Sequence, residues 1–173
     1  MERQRPGPLS FNVTDPNSTV FTKHNNLRVK YKLSVDLARN LKGRTLTNSL
    51  KYLQDIINRK DCVKMTRYAK KCGRTAQANN KLINGKKYSD NRGRWPIKPA
   101  KLFISLLNTL IKQSEEKSLD PSILKLKHIN VNKAPQIQGR MQRAFGRVSA
   151  SNSHPCHIEI VAQKPTLTVD DLD

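Results

Sequence analysis

Two periodicities divide the chain. Over 45–58, Leu46, Leu50, Leu53 and Ile57 recur every three or four positions, the spacing that places side chains on one face of a helix. Over 98–117 the stripe widens to Ala100, Phe103, Leu107, Leu110 and Ile111, with Leu102, Ile104 and Leu106 beside them. This predicts the longest helix, introduced by Pro96 and Pro99, and the centre of the core. Burying side chains of this size contributes roughly 1.5–3 kcal/mol each. A shorter helix is predicted over 35–42, with Ser34 as N-cap, Leu37, Ala38 and Leu41 inward, and Gly43 as its stop.

Period two takes over elsewhere. Leu27, Val29, Tyr31 and Leu33 alternate with Arg28, Lys30 and Lys32, which predicts a strand with one basic face. A second strand is predicted over 124–132. Its alternation slips, since Leu124 and Leu126 are even while Ile129 and Val131 are odd, so a bulge is expected near Lys127 and His128. Ile158 and Ile160 supply the apolar face of a return strand over 156–161.

Between the last two strands lies 131–147, which holds Lys133, Arg140, Arg143 and Arg147, no acidic residue, and Pro135, Gly139 and Gly146. The proline and glycines disfavour a helix. The stretch predicts a long hairpin arm over 133–156, about a dozen residues to each leg. At roughly 3.3 Å per residue it projects up to about 40 Å. An arm so basic, with so little to pack against, reaches into a polyanion.

The remaining segments cannot build a core. Residues 1–25 hold three prolines and no periodicity, and are expected to be a tail. Residues 60–95 are basic and sparse in apolar side chains, with Asp61 and Asp90 alone opposing the cations. They are expected to lack structure unless RNA holds them, through phosphates and through stacking on Tyr68, Tyr88 or Trp95. Glu115, Glu116 and Asp120 form an acidic patch expected to face away from phosphate, and 162–173 is expected to be an acidic tail. The fold class is therefore α+β: three helices on a small antiparallel sheet with a long extended β-hairpin, plus disordered tails.

Charge narrows the function. The 173 residues carry 33 Lys+Arg against 13 Asp+Glu, a formal charge of +20. Self-repulsion of that size is relieved by phosphates, whose condensed cations are released on contact. Hydrophobic residues make up 36% of the chain, enough for one modest domain. No apolar run approaches the roughly 20 residues that span a bilayer. Cys62, Cys72 and Cys156 are odd in number and form no C-x-x-C pair, which suits a reducing compartment. The run His154-Pro155-Cys156-His157, even with Cys62 or Cys72 added, matches no zinc spacing, so neither metal nor cofactor is expected. RNA hydrolysis wants paired carboxylates for metal or a histidine pair. Here the acids cluster away from the basic surfaces and the histidines are scattered, so no enzyme is expected.

Several blocks resemble one family. Val131-Asn132-Lys133-Ala134-Pro135 followed by Arg143-Ala144-Phe145-Gly146-Arg147 is the most specific. Supporting blocks are Asn26-Leu27-Arg28-Val29, Lys51-Tyr52-Leu53, Gly73-Arg74-Thr75-Ala76-Gln77-Ala78, Gly93-Arg94-Trp95-Pro96 and Ser153-His154-Pro155-Cys156-His157-Ile158-Glu159. From about 26 to 161 the chain resembles the universal large-subunit ribosomal protein twenty-two family, protein seventeen of the eukaryotic large subunit. Within that domain, 60–95 resembles an archaeal or eukaryotic insertion, which points to a cytosolic ribosome of a eukaryote, with assembly in the nucleolus.

The resemblance implies a structural protein that binds rRNA and whose hairpin tip lines the nascent-polypeptide tunnel. Its partners would be large-subunit rRNA, neighbouring ribosomal proteins and the nascent chain, with no membrane insertion. The rRNA contacts expected are Arg28, Lys30, Arg44, Arg67, Arg74, Arg92, Arg94, Trp95, Lys133, Arg140, Arg143 and Arg147. The tunnel-lining tip is expected at Ile137, Gln138, Gly139, Arg140, Met141, Gln142 and Arg143. The chain departs from the family at Gln138 and Gly139, where a basic pair is usual, and at Phe145, where a basic residue or histidine is more common. The other reading of the charge is a free basic nucleic-acid-binding or chromatin protein, which accounts for neither the arm nor the blocks.

Overall fold

A computed structural model describes residues 9–13, 15–79, 81–83 and 85–165. The order is β1 (Thr19–Leu27), α1 (Tyr31–Leu41), α2 (Leu46–Ile57), β2 (Val63–Lys64), β3 (Leu82–Ile83), β4 (Lys86–Lys87), β5 (Gly93–Arg94), α3 (Ile97–Glu116), β6 (Lys125–Lys133), β7 (Arg140–Gln142), β8 (Val148–Ala150) and β9 (Cys156–Gln163). The central sheet runs β1-β9-β6, antiparallel throughout. The three helices cover one of its faces. Leu37 and Leu41 of α1, Leu46, Leu53 and Ile56 of α2, and Ala100, Phe103, Leu107 and Leu110 of α3 meet Leu126, Ile158, Ile160 and Ala162 of the sheet in one core.

The two leucine-rich helices form where their stripes place them. Thr45 caps α2, its hydroxyl accepting from Asn48 N. In β6 the register with β9 shifts between Leu126 and His128, so Lys127 is the extra residue that flips the alternation.

The start of the domain differs from expectation. The strand expected over 27–33 is not formed. β1 lies earlier, inside the expected tail, and ends where Asn26 turns left-handed (φ 55°) and the pairing with β9 slips. Helix α1 already begins at Tyr31, because Leu33, Leu37 and Leu41 share a helical face directed at the core. Ser34 is therefore inside the helix, its hydroxyl donating to Lys30 O at 3.2 Å, and not its cap. At the other end β9 runs through Gln163, so Ala162 and Gln163 belong to the sheet and not to the acidic tail. The rest of the expected tails, 1–8 and 166–173, lies outside the described residues.

Segment 60–95 is also ordered by protein contacts, contrary to expectation. β2 pairs with β5, and β3 with β4. Two buried charges hold it. The Asp36 carboxylate of α1 accepts from the backbone N–H of Thr66, Arg67 and Tyr68, at 3.1–3.4 Å, and from the Thr66 hydroxyl. The Lys64 ammonium, fully buried, donates to Tyr88 O at 2.7 Å and to Lys81 O at 3.3 Å. A carboxylate or ammonium taken from water is tolerated only when bonded in this way.

Beyond the sheet, β6 and β9 continue into the arm. Its legs are joined by Ala134 N donating to Pro155 O, by the Ile137–Ser153 bridge, by Ser151 N donating to Gly139 O, and by the β7–β8 ladder. The apex is a turn over Ala144–Gly146. The tip expected over 137–143 is thus misplaced. Ile137, Gln138 and Gly139 sit on a leg, Arg140, Met141 and Gln142 form β7, and Arg143 alone adjoins the turn. At Gly139 the legs approach so closely that a Cβ would collide with the Ser151 carbonyl oxygen.

Candidate nucleic-acid interface

At the root of the arm, aromatic rings and cations gather. Tyr31, in the first turn of α1, meets Tyr68 edge-on at 6.1 Å between ring centres. Lys32 and Arg67 lie over the Tyr68 ring, and Lys133 over the Tyr31 ring, each at 5.7 Å. Burial, then the Tyr68 neighbour, raises the Tyr31 pKa, so this ring stays neutral. Asp36 sets the cluster, because its bonds to Arg67 N and Tyr68 N hold those residues against α1. Tyr31 N donates to His154 O, which ties the returning leg of the arm to the same point. Arg28 and Lys30 are exposed in the preceding loop. A patch of aromatic rings and cations can take up phosphate and stack unpaired bases.

The other expected contacts divide into two groups. Arg67, Arg74, Lys133, Arg140, Arg143 and Arg147 are exposed, with Arg143 Nε donating to Ser149 Oγ at 3.3 Å. Four are held within the protein instead. Arg44 donates from Nε to Asn40 O and stacks 4.2 Å over the Tyr52 ring. Arg92 donates to Ala69 O and faces Asp90. Arg94 donates to Lys71 O, and the Trp95 indole N–H donates to Gln77 Oε1. Arg92, Arg94 and Trp95 thereby fasten the 60–95 segment. Lys32 lies on the basic face expected over 27–33, whereas the same alternation puts Tyr31 inward and leaves it out of the expected set.

None of the residues from Asn132 to His154 is buried, and none is acidic. At the apex Phe145 is 96% exposed and left-handed, with Gly146 left-handed after it. The histidines and cysteines serve the structure. His157 Nδ1 accepts from Asn26 N, and the Cys156 thiol donates to Ser34 Oγ inside the core. Burial raises the thiol pKa of both Cys62 and Cys156. Among the described residues no group of three His, Cys, Asp or Glu side chains could hold a metal ion. No helix among them is long and apolar enough to cross a membrane.

The model of the family described as ribosomal protein L22p/L17e matches residues 22–163, from β1 to the end of β9 and across the whole arm. The chain belongs to the ribosomal protein L22p/L17e family. Proteins named large ribosomal subunit protein uL22 are similar along most of their length. The one from Theileria annulata is 39% identical over 136 residues, 79% of this chain and 69% of its own. That of Neurospora crassa is 36% identical over 146 residues, 84% and 75%, and that of Maconellicoccus hirsutus 34% over 155 residues, 90% and 80%. An L22p/L17e protein is a structural constituent of the large ribosomal subunit and not a catalyst.

Proposed function

We propose that this chain binds large-subunit rRNA with its body, runs its arm through folded rRNA, and presents the arm apex to the nascent-polypeptide exit tunnel. The observation that carries this reading is the arm itself. A ribbon with no buried residue from Asn132 to His154, bearing Lys133, Arg140, Arg143 and Arg147 and no acid, has no core of its own and is completed by polyanion. The aromatic–cation cluster at its root extends the same surface onto the body. Neighbouring ribosomal proteins and the nascent chain are the remaining partners. The working place is the cytosolic large subunit, after assembly in the nucleolus.

Sedimentation of cell extract through a gradient at raised salt tests the reading, with the protein followed by mass. A peripheral binder with six to ten phosphate contacts loses about 1,000- to 100,000-fold in affinity between roughly 50 and 200 mM salt. A threaded protein stays with the large subunit at about one copy per particle. Recovery at the top of the gradient would overturn the proposal.

A further inference from the structure

Away from the arm, a cleft of about 720 Å³ opens between the C-terminal end of α1, the β3–β4 hairpin and the ends of β6 and β9. Lys42, Arg44, Lys125, Lys127 and Lys164 line it with Leu82, and no carboxylate does. We propose that this cleft holds a bent, unpaired stretch of RNA backbone. The inference rests on the rRNA-binding reading above and assigns one place on the body where that binding occurs.

Four features support it. Two of the cations are fixed in place, Arg44 by its bond to Asn40 O and Lys127 by donation to Gln163 Oε1 at 2.8 Å. The other three, Lys42, Lys125 and Lys164, are exposed, and their side chains make no hydrogen bond or ion pair to any described residue. Five like charges on a concave wall focus a positive potential, which an entering anion relieves. The volume falls in the range of roughly 300–1,000 Å³ that encloses a small-molecule-sized unit such as a nucleotide.

The backbone around the cleft also disfavours the main alternative, an acidic peptide added as a strand to the central sheet. The β6 edge is already occupied here: Gly43 N donates to Leu126 O, and Leu126 N to Arg44 O. With the β6 edge taken up, the cleft offers charge and the exposed apolar side chain of Leu82, which suits phosphates and a sugar more than a peptide main chain. Asn40 gives its amide N–H groups to Asp36 O and Lys64 O, and Gln163 gives its amide oxygen to Lys127. Cations outnumber amides in the lining, so the cleft engages backbone phosphate more than base edges. Across Arg44 a second groove sets Asp55 and Asp61 beside Lys51, so it lacks the unopposed positive lining of the first.

The test titrates full-length protein with a short fluorescein-labelled unpaired RNA, and with its duplex, over a salt series. K42Q/K125Q/K164Q is compared with R140Q/R143Q/R147Q on the arm. The cleft variant should show a salt slope shallower by about two, at about 0.7 for each phosphate of a single strand that a lysine no longer neutralises, with a smaller change on the duplex. An unchanged slope in the cleft variant beside a shallower one in the arm variant overturns the cleft and leaves rRNA binding standing. Unchanged slopes in both overturn both. Polyglutamate that binds wild type and not the cleft variant, with RNA slopes equal, assigns the cleft to acidic protein and overturns the proposal. In intact large subunits the three lysines should resist an amine-acylating reagent until ribonuclease is added. Ready acylation there overturns it independently of the variants.

Discussion

Phe145 stands in a conformation that suits other residues. Ala144 O accepts from Arg147 N at 3.4 Å, and both residues between them are left-handed, Phe145 at φ 57° and Gly146 at φ 66°. That is a primed hairpin turn, whose twist matches the legs and whose first central position favours asparagine. A phenylalanine there costs about 1–2 kcal/mol, and its exposed ring recovers none of it within the chain. Phe145→Asn should therefore tighten the apex by about 1 kcal/mol. Slower hydrogen exchange at Arg143 N–H, which donates to Arg147 O at 2.7 Å, would register the gain, and unchanged exchange would count against it. Glu159 is a second residue under constraint. Burial pushes its pKa up, but bonds from Lys23 (2.6 Å) and from the Ser10 hydroxyl (2.5 Å) and N–H (3.2 Å) outweigh burial and hold it below the usual carboxylate range. A lowered folded pKa means a contribution fully present above the unfolded value of about 4.3 and lost as pH falls through the folded one. Thermal melts should show stability dropping below about pH 4. Glu159→Gln should flatten that drop and lower the melting temperature at neutral pH.

At the scale of elements, what the sequence revealed depended on how apolar the buried positions were. α2 and α3 bury leucines at helical spacing, and the bulge at Lys127 announced itself as a slip in alternation. β1 stayed hidden because it buries Thr19 and Thr22 while Phe21 is exposed, which inverts the usual signal. Segment 60–95 stayed hidden because its fasteners, Asp36 and Lys64, are ionisable residues that read as solvated. The arm is legible as a whole, but the resemblance puts its tip at 137–143, around Gly139. That glycine serves the close approach of the legs, and the turn lies at Phe145–Gly146. Tyr31 is illegible for a related reason: alternation over 27–33 places it inward on a strand, whereas it opens α1. Asp36→Ala would leave the N–H groups of Thr66, Arg67 and Tyr68 without an acceptor and cost on the order of 3 kcal/mol. Denaturant unfolding should show the loss. Exchange should accelerate in 60–95 ahead of α3, an order that a general destabilisation would not produce.

For the whole molecule, the proposed rRNA binding is spread over the body cations, the root cluster and the arm, so a single charge removed from the body should change little. The arm concentrates the effect, because both legs must fit one path. Arg143→Glu with Arg147→Glu should reduce the variant's share in mature large subunits several-fold when it is expressed beside wild type, as measured by mass spectrometry of purified particles. Normal abundance would count against a threaded arm. The ribbon from Asn132 to His154 has a further consequence for copies that never meet a particle. Both edges of a two-stranded ribbon then stand open, an invitation to non-native pairing. Arg140, Arg143 and Arg147 on that ribbon are also ready cleavage sites for proteases. Brief trypsin treatment of the free protein should cut there first and spare the helical body, while the same bonds survive in intact subunits. A surplus of this chain would then be nicked at its arm and cleared, so that its dosage follows the supply of rRNA.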